Sequence, residues 1–423
     1  MVWQATNDFR SVLKEVTSMN LNDICELIVD CPHSTAPDEG EGFPLIRTPN
    51  IGKGRLLLDD VHRVSKEVYD DRNKRAVPQE NDLILAREAP VGNVALIKEG
   101  QQVCLGQRTV LIRPDVKKVI PEFLVYYLLS PQIQHIFTGS SNGTIVSHLN
   151  LAILRKMEVS IPDIETQKEI SKHFVAIDDK IDLNNSMISK FEEYIEAVYK
   201  QWFVDFNFPD DNGLPYKDNG GQMVIGYGDI EKIPAGWKIA PVLDIVDWVG
   251  NSQPPKSTFV YEPQDGYVRF IQNRDYDTDN HITYIPCTKK IKLADTFDIL
   301  MDKYGDAGKV RYGIAGAPNV ALGKIQVDNP NQVEYIRSYF LSKKTYTYLH
   351  NTCMASTRAS LSKDNLSPLN IVVPNDSVVA KFQTKARQIR EYILFLKKEN
   401  KKLSDAKEKL LGYMFIENNT ERV

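Results

Sequence analysis

Basic and amide side chains gather in the turns of two stretches of this chain. Arg47, Asn50, Lys53, Arg55, Arg87 and Arg108 fall in the first, with the run RNKR at 72–75; Arg269, Gln272, Asn273, Arg274, Lys303, Lys309, Arg311 and Arg358 fall in the second. An arginine fork can donate two hydrogen bonds to guanine O6 and N7, asparagine or glutamine can pair with adenine N6 and N7, and lysine mostly holds phosphate. From 337 to 363 every charged residue is basic (Arg337, Lys343, Lys344, Arg358 and Lys363), the composition of a phosphate-binding patch. Any one of these residues alone reads more readily as a solvated surface charge. The duplication of the set is what points to double-stranded DNA. The expected contacts are Arg47, Asn50, Lys53, Arg87 and Arg108 in one half, and Arg269, Asn273, Arg274, Lys303, Arg311 and Arg358 in the other.

Signatures of catalysis are missing. No G-x-x-x-x-G-K-[ST], H-E-x-x-H or G-x-S-x-G pattern occurs, nor an N-P-P-[FY] or D-P-P-[FY] tetrapeptide of the kind with which amino-methyltransferases hold a flipped base. Asp163, Asp178 and Lys180 could be forced into a nuclease-like set, but they lie on or just before a helix whose charges are expected to form a solvated face. The seven histidines show no ligand spacing, and His148 is expected to be hydrogen-bonded or buried rather than a catalytic base. Five cysteines without a C-x-x-C pair support neither a disulfide framework nor a zinc knuckle. The expectation is a chain with no catalytic residue, no metal and no cofactor. A net charge of −4 argues against coating nucleic acid by bulk charge, yet leaves room for local basic surfaces. With no long apolar run and no secretory layout at the start, the plain expectation is a cytoplasmic protein with reduced thiols and no membrane contact.

Such turns need a scaffold, and the stretch 162–206 supplies its axis. Apolar residues fall at Ile170, Phe174, Ile177, Ile181, Ile188, Phe191, Ile195, Val198 and Trp202, alternating steps of four and three that predict a helix packed lengthwise on another. Asn184 takes the one interrupted slot. The same stepping recurs 212 residues later at Phe382, Ala386, Ile389, Ile393, Leu396, Asn400, Leu403, Lys407, Leu410 and Met414. Paired antiparallel in full overlap, Ile170 faces Met414, Ile181 faces Leu403, Trp202 faces Phe382 and Asn184 faces Asn400. Two amides opposed in an apolar seam would hydrogen-bond each other and fix the register. Lys407, in a slot opposite Ile177, is expected to loosen that end or to mark a partner contact.

The globular segments repeat as well. NDLILAREAPVGNVALI (81–97) lines up with FDILMDKYGDAGKVRYGI (297–314), CLGQRTVLI (104–112) with NVALGKIQV (319–327), LNDICEL (21–27) with VLDIVDW (242–248), and 144–162 with 356–374. β-branched runs between turn residues predict strands and hairpins, and 121–137 has helical spacing. The expected order begins with a leader of short helix or frayed chain at 1–20, a first mixed domain at 21–161 and a spacer helix at 162–207. A Pro/Gly/Asp/Asn-rich linker at 208–232, a second domain at 233–373, a second spacer helix at 374–416 and a tail at 417–423 follow. The fold class is α+β: two repeated mixed α/β domains joined by two long antiparallel coiled-coil helices.

Taken in this order, DLILAREAPVGNVALI, CLGQRTVLIRP, IPDIETQKEI through YKQWFVDF, IPAGWK and DILMDKYGDAGKV resemble the DNA-specificity subunit of type I restriction-modification enzymes, from about residue 21 to 415. The resemblance implies two target-recognition domains, each reading half of a split DNA site. It also implies that the helices act as a spacer and dock methyltransferase subunits, two of them, with a motor-nuclease restriction subunit joining through the complex. Catalysis would belong to those partners. The chain departs from the pattern at GYMFIENN, where the first helix ends KQWFVDF, at Lys407 in the seam, and in its long leader. If a seam of roughly 50 Å lies along DNA at about 3.4 Å per base pair, the half-site centres fall on the order of 15 base pairs apart. A second reading stays open, favoured mildly by the acidic balance: a protein-interaction scaffold, with the same duplicated module on a coiled-coil spacer and no DNA reading.

Overall fold

The computed structural model describes residues 16–88, 90–139, 148–228, 230–354 and 360–415. The chain forms two compact units, Met1–Asn185 with Lys398–Val423, and Ser186–Lys397. In the first lie β1 (Thr17–Asn20), β2 (Cys25–Asp30), β3 (Phe43–Ile46), β4 (Gly54–Arg55), β5 (Arg63–Val64), β6 (Leu83–Ala86), β7 (Val94–Leu96), β8 (Cys104–Leu105), β9 (Thr109–Pro114) and β10 (Glu158–Ile161). Its helices are α1 (Lys66–Arg72), α2 (Pro121–Leu128), α3 (Pro131–Phe137), α4 (Leu151–Arg155) and the first part of α5 (Ile164–Tyr199). A five-stranded sheet runs β2-β9-β6-β7-β4, beside a three-stranded sheet β5-β3-β8 and the pair β1-β10. All four residues of β6 are buried, as an unbroken apolar run at the centre of a sheet covered on both faces requires.

The second unit repeats this plan. Its strands are β11 (Met223–Tyr227), β12 (Ile230–Pro234), β13 (Lys238–Pro241), β14 (Val246–Val249), β15 (Tyr267–Ile271), β16 (Tyr284–Pro286), β17 (Ile299–Asp302), β18 (Val310–Arg311), β19 (Ala317–Pro318), β20 (Leu322–Val327) and β21 (Asn370–Val373). Its helices are α6 (Val333–Leu341), α7 (Lys343–Met354), α8 (Lys363–Leu366) and most of α9 (Asp376–Met414). The sheets β14-β20-β17-β18, β16-β15-β19 and β13-β21 correspond to those of the first unit without a counterpart of β4, and the hairpin β11-β12 is added.

Several expectations are corrected. Residues 17–20 of the supposed leader form β1, antiparallel to β10, just as β13 pairs β21 in the second unit. The helical stretch 121–137 is two helices, because Pro131 has no N–H to continue the first and suits the first turn of the next. Within 208–232, Phe208 stacks on Tyr216 and Trp237, and β11 closes a hairpin with β12, so the linker composition belongs to ordered chain. The alignment of 104–112 slips by two residues. The parallel pairs Leu45↔Cys104 and Phe270↔Ala317 put Cys104 in the place of Ala317, not Asn319. A slip of two preserves which side chains face inward, so the apolar pattern is blind to it.

The long helices meet within each unit. Ile170 and Phe174 of α5 share the first core with Leu411, Met414 and Phe415. Ile188, Ile195, Val198 and Trp202 share the second with Phe382, Ala386, Ile393 and Leu396, and the Trp202 and Phe382 rings lie 6.0 Å apart. Asn184 is fully buried, and its Nδ2 donates to Asn400 Oδ1 at 2.8 Å and to Glu399 Oε2 at 2.7 Å. The pair is not reciprocal: Asn400 Nδ2 donates to Asn185 Oδ1. Asp178 and Lys407 correct the expectation of a solvated face and a loosened end. Lys407 Nζ donates to both Asp178 oxygens at 2.7 Å and to the Lys53 carbonyl at 2.6 Å. Arg55 and the Tyr126 hydroxyl complete the cluster on Asp178. The globular part of the unit covers this helix face, and Gly54 lets it approach: at φ +103° a Cβ there would stand 2.7 Å from Asp178 Oδ2.

Candidate nucleic-acid interface

Four loops of the first unit are tied to one another by main-chain bonds. The turn after β3 accepts through the Ile46 carbonyl from Gly106 N–H, 2.7 Å, in the turn between β8 and β9. Arg87 N–H, after β6, donates to the Arg108 carbonyl at 2.8 Å, and the Arg87 carbonyl accepts from Leu149 N–H, 3.1 Å, before α4. The second unit repeats all three. Asn319 N–H donates to the Ile271 carbonyl, Lys303 N–H to the Ala321 carbonyl and Leu361 N–H to the Lys303 carbonyl, each at 2.9 Å. These bonds set up structural pairs: Arg87 with Lys303, Arg108 with Ala321, Leu149 with Leu361.

The side chains on this common frame differ. In the first unit Arg108 is exposed, its Nε 3.0 Å from Glu88 Oε2, and it holds a left-handed φ of +64°. Glu88 also contacts His148 Nδ1, while His148 Nε2 faces Arg87 Nη2. A neutral imidazole with its proton on Nδ1 satisfies both neighbours. Arg87 itself is buried, with Nε donating to the Leu149 carbonyl at 2.9 Å and Nη1 to Asp30 Oδ1 at 2.6 Å. In the second unit Arg274 is exposed and Asn273 half-buried, and neither side chain has a hydrogen-bond partner among the described residues. Lys303 lies 5.8 Å from the centre of the exposed Tyr304 ring. Each frame therefore offers cations, amide groups or an aromatic ring to a polyanion with exposed base edges, in a different combination.

A family model described as the Type I restriction modification DNA specificity domain matches the chain twice, over residues 14–193 and 234–404. The chain belongs to the type I restriction-modification DNA specificity family. It is similar to the type I restriction enzyme MjaIX specificity subunit of Methanocaldococcus jannaschii, 21% identical over 418 residues that span 94% of this chain and 93% of that protein. The HindI specificity subunit of Haemophilus influenzae is 22% identical over 362 residues, 71% of this chain and 78% of that protein. The EcoBI specificity subunit of Escherichia coli is 32% identical over 133 residues, 31% of this chain and 28% of that protein. In fold the chain resembles the crystal structure of the type I restriction-modification S subunit from M. genitalium, with a TM-score of 0.55 at 12% identity, covering 95% of this chain and 96% of that one.

In this specificity-family chain the expected contact residues divide into three groups. Arg108, Asn273, Arg274 and Lys303 stand on the shared frame with side chains turned outward or half-open, and Arg47 is half-buried beside it with its Nε unpaired. Asn50, Arg87, Arg269 and Arg311 are occupied internally. Asn50 is buried, accepting from Arg47 N–H and donating to the Leu57 carbonyl. Arg269 pairs with Asp279 at 2.9 Å, and Arg311 with Asp302 at 2.9 Å. Burial pushes the Asp302 carboxyl up against the pull of Arg311. These four correct the expectation of solvent-facing turn residues: Arg269 and Arg311 lie in β15 and β18, and nearby acceptors occupy all four side chains. Lys53 sits away from the frame and reaches Glu408 on α9 at 2.8 Å. Arg358 lies outside the described residues.

The basic stretch 337–363 is likewise split. Arg337 is fully buried and bonded to Glu334, while Lys343, Lys344 and Lys363 stay on the surface. His148 is exposed and hydrogen-bonded. Among the described residues no cluster of His, Cys, Asp or Glu could hold a metal ion, and no helix is long and apolar enough to cross a membrane. Glu88 and Tyr304 were missing from the expected set. Both occupy the position after the Arg87/Lys303 pair, and aligning 81–97 with 297–314 puts them in one slot.

Proposed function

We propose that this chain is the non-catalytic DNA-reading subunit of a type I restriction-modification complex. Each unit reads one half of a split double-stranded target through its four tied loops. Methyltransferase subunits, two per chain, dock on α5 and α9, and the motor-nuclease subunit joins through them. Asn184 and Asn400 fix the register of this spacer, since a slip would leave the buried Asn184 amide without its partners. The observation that carries the reading is the repeated frame: identical main-chain bonds hold the same loops in both units, while the residues on them change in chemistry. A scaffold that used two copies of one module for one partner would gain nothing from that divergence.

Co-expression with a methyltransferase subunit of the same system, followed by genome-wide mapping of methylated adenine by single-molecule sequencing, tests the reading. The expected result is a split motif with a fixed nonspecific gap. A stable complex that yields no motif would establish the scaffold instead. The purified chain alone is expected neither to methylate nor to cut DNA.

A further inference from the structure

We propose that Arg108 reads a guanine in the half-site of the first unit, and that Glu88 is the positioning residue that aims it. The inference rests on the DNA-reading assignment above and specifies the base class that one unit recognises. A guanidinium free to rotate can meet phosphate from many directions; one whose Nε is tied back presents its two terminal amino groups as a fixed fork, the geometry that matches guanine O6 and N7. In Arg108 an ion pair with Glu88 supplies the restraint. Its Nε lies 3.0 Å from Glu88 Oε2, and its terminal nitrogens have no partner among the described residues.

The tie does not end at Glu88. Its other oxygen contacts His148 Nδ1, His148 Nε2 faces Arg87, and Arg87 is anchored in the interior by Asp30 and the Leu149 carbonyl. A surface arginine is thereby connected through Glu88 and His148 to the buried Arg87, which pairs with the half-buried Asp30. The backbone is committed as well. Arg108 keeps a left-handed φ of +64°, which glycine or asparagine adopts with less strain, and its carbonyl is fixed by Arg87 N–H. The second unit has the frame without the device: Ala321 stands in the place of Arg108, Tyr304 in that of Glu88 and Ser360 in that of His148. The guanine reader is accordingly a property of one half-site only.

The test uses the full chain in complex with its methyltransferase subunit, with the methylated motif as readout for Arg108→Ala, Arg108→Lys and Glu88→Gln. The wild-type motif is expected to contain a G·C pair in the half that responds. Both Arg108 variants should keep the gap and the other half intact while that one position becomes degenerate. On oligonucleotides, preference for the G·C pair should fall by about 5- to 150-fold, the discrimination of one two-bond contact. Glu88→Gln should relax the same position partially and no other, a pattern that a general loss of folding would not give. Arg108→Lys retains charge without the fork, so it carries the test if the alanine variant fails to assemble. Uniform weakening with an unchanged motif would make Arg108 a phosphate contact and overturn the inference, as would a responding position without guanine. A wild-type complex with no motif at all would instead overturn the DNA-reading assignment itself.

Discussion

Arg87 and Arg274 have the same side chain, each in a loop that follows a strand, and opposite fates. Arg87 is buried and pairs with Asp30, whereas Arg274 is exposed and forms no ion pair among the described residues. Arg87→Ala would remove the ion pair with the half-buried Asp30, which keeps His33, and should cost about 1.5–3 kcal/mol of stability, measured by chemical denaturation. Arg274→Ala should change stability by less than about 0.5 kcal/mol, yet lower the salt dependence of DNA binding by about one counterion. A large destabilisation by the second variant would place Arg274 in the structural set. This division was not legible in the sequence, because Asp30 and Arg87 are far apart in the chain and the acceptor that decides an arginine's direction is brought up by a different strand. The turns themselves were legible, since Gly, Pro, Asn and Asp mark them locally.

At the scale of elements, each unit fastens its globular part to a long helix by a buried ion cluster, and the two clusters have opposite polarity. Position 178 of α5 is aspartate, held by Lys407 and Arg55; the equivalent position of α9 is Arg390, held by Glu334, which also bonds Arg337. The heptad pattern displayed the seam of apolar residues and the facing asparagines, but it could not show that a seam-edge carboxylate is covered, because the covering surface comes from the globular strands. Asp178→Ala would strand Lys407, while Arg55 keeps Asp182, and should cost about 3–5 kcal/mol. Lys407→Met leaves Arg55 and Tyr126 on the carboxylate, so its cost should be nearer 1.5–3 kcal/mol. Equal losses in thermal melts would mean that Arg55 does not share the charge. In the second unit burial opposes ionisation of Glu334, but Arg337 and Arg390 outweigh it and hold the carboxyl below its usual range. Its stabilisation is therefore present at neutral pH and disappears as pH falls through that lowered value. Melts taken from pH 7 downward should show a decline that Glu334→Gln, less stable at pH 7, lacks.

For the whole molecule the proposal makes helix length the determinant of the gap between half-sites, because α5 and α9 are the segments that run through both units. The unit boundaries fall at 185/186 and 397/398, so equal insertions at both sites leave each unit's own seam contacts and the Asn184–Asn400 bond in place. Four residues extend an α-helix by about 6 Å and rotate it about 40° beyond a full turn. DNA advances about 3.4 Å and twists about 35° in the same hand per base pair. A four-residue insertion in both helices should therefore keep methylation and lengthen the gap by one or two base pairs. Seven residues keep the heptad phase but add about 10.5 Å with a rotation about 20° short of two turns, while the matching three base pairs of DNA twist by about 105°. The seven-residue insertion should accordingly methylate more weakly than the four-residue one, although it disturbs the seam less. Motif mapping of the two insertion variants separates rise and twist along DNA from seam stability alone, since a spacer governed only by its seam would favour the heptad. An unchanged gap in an active four-residue variant would show that the helices do not measure it.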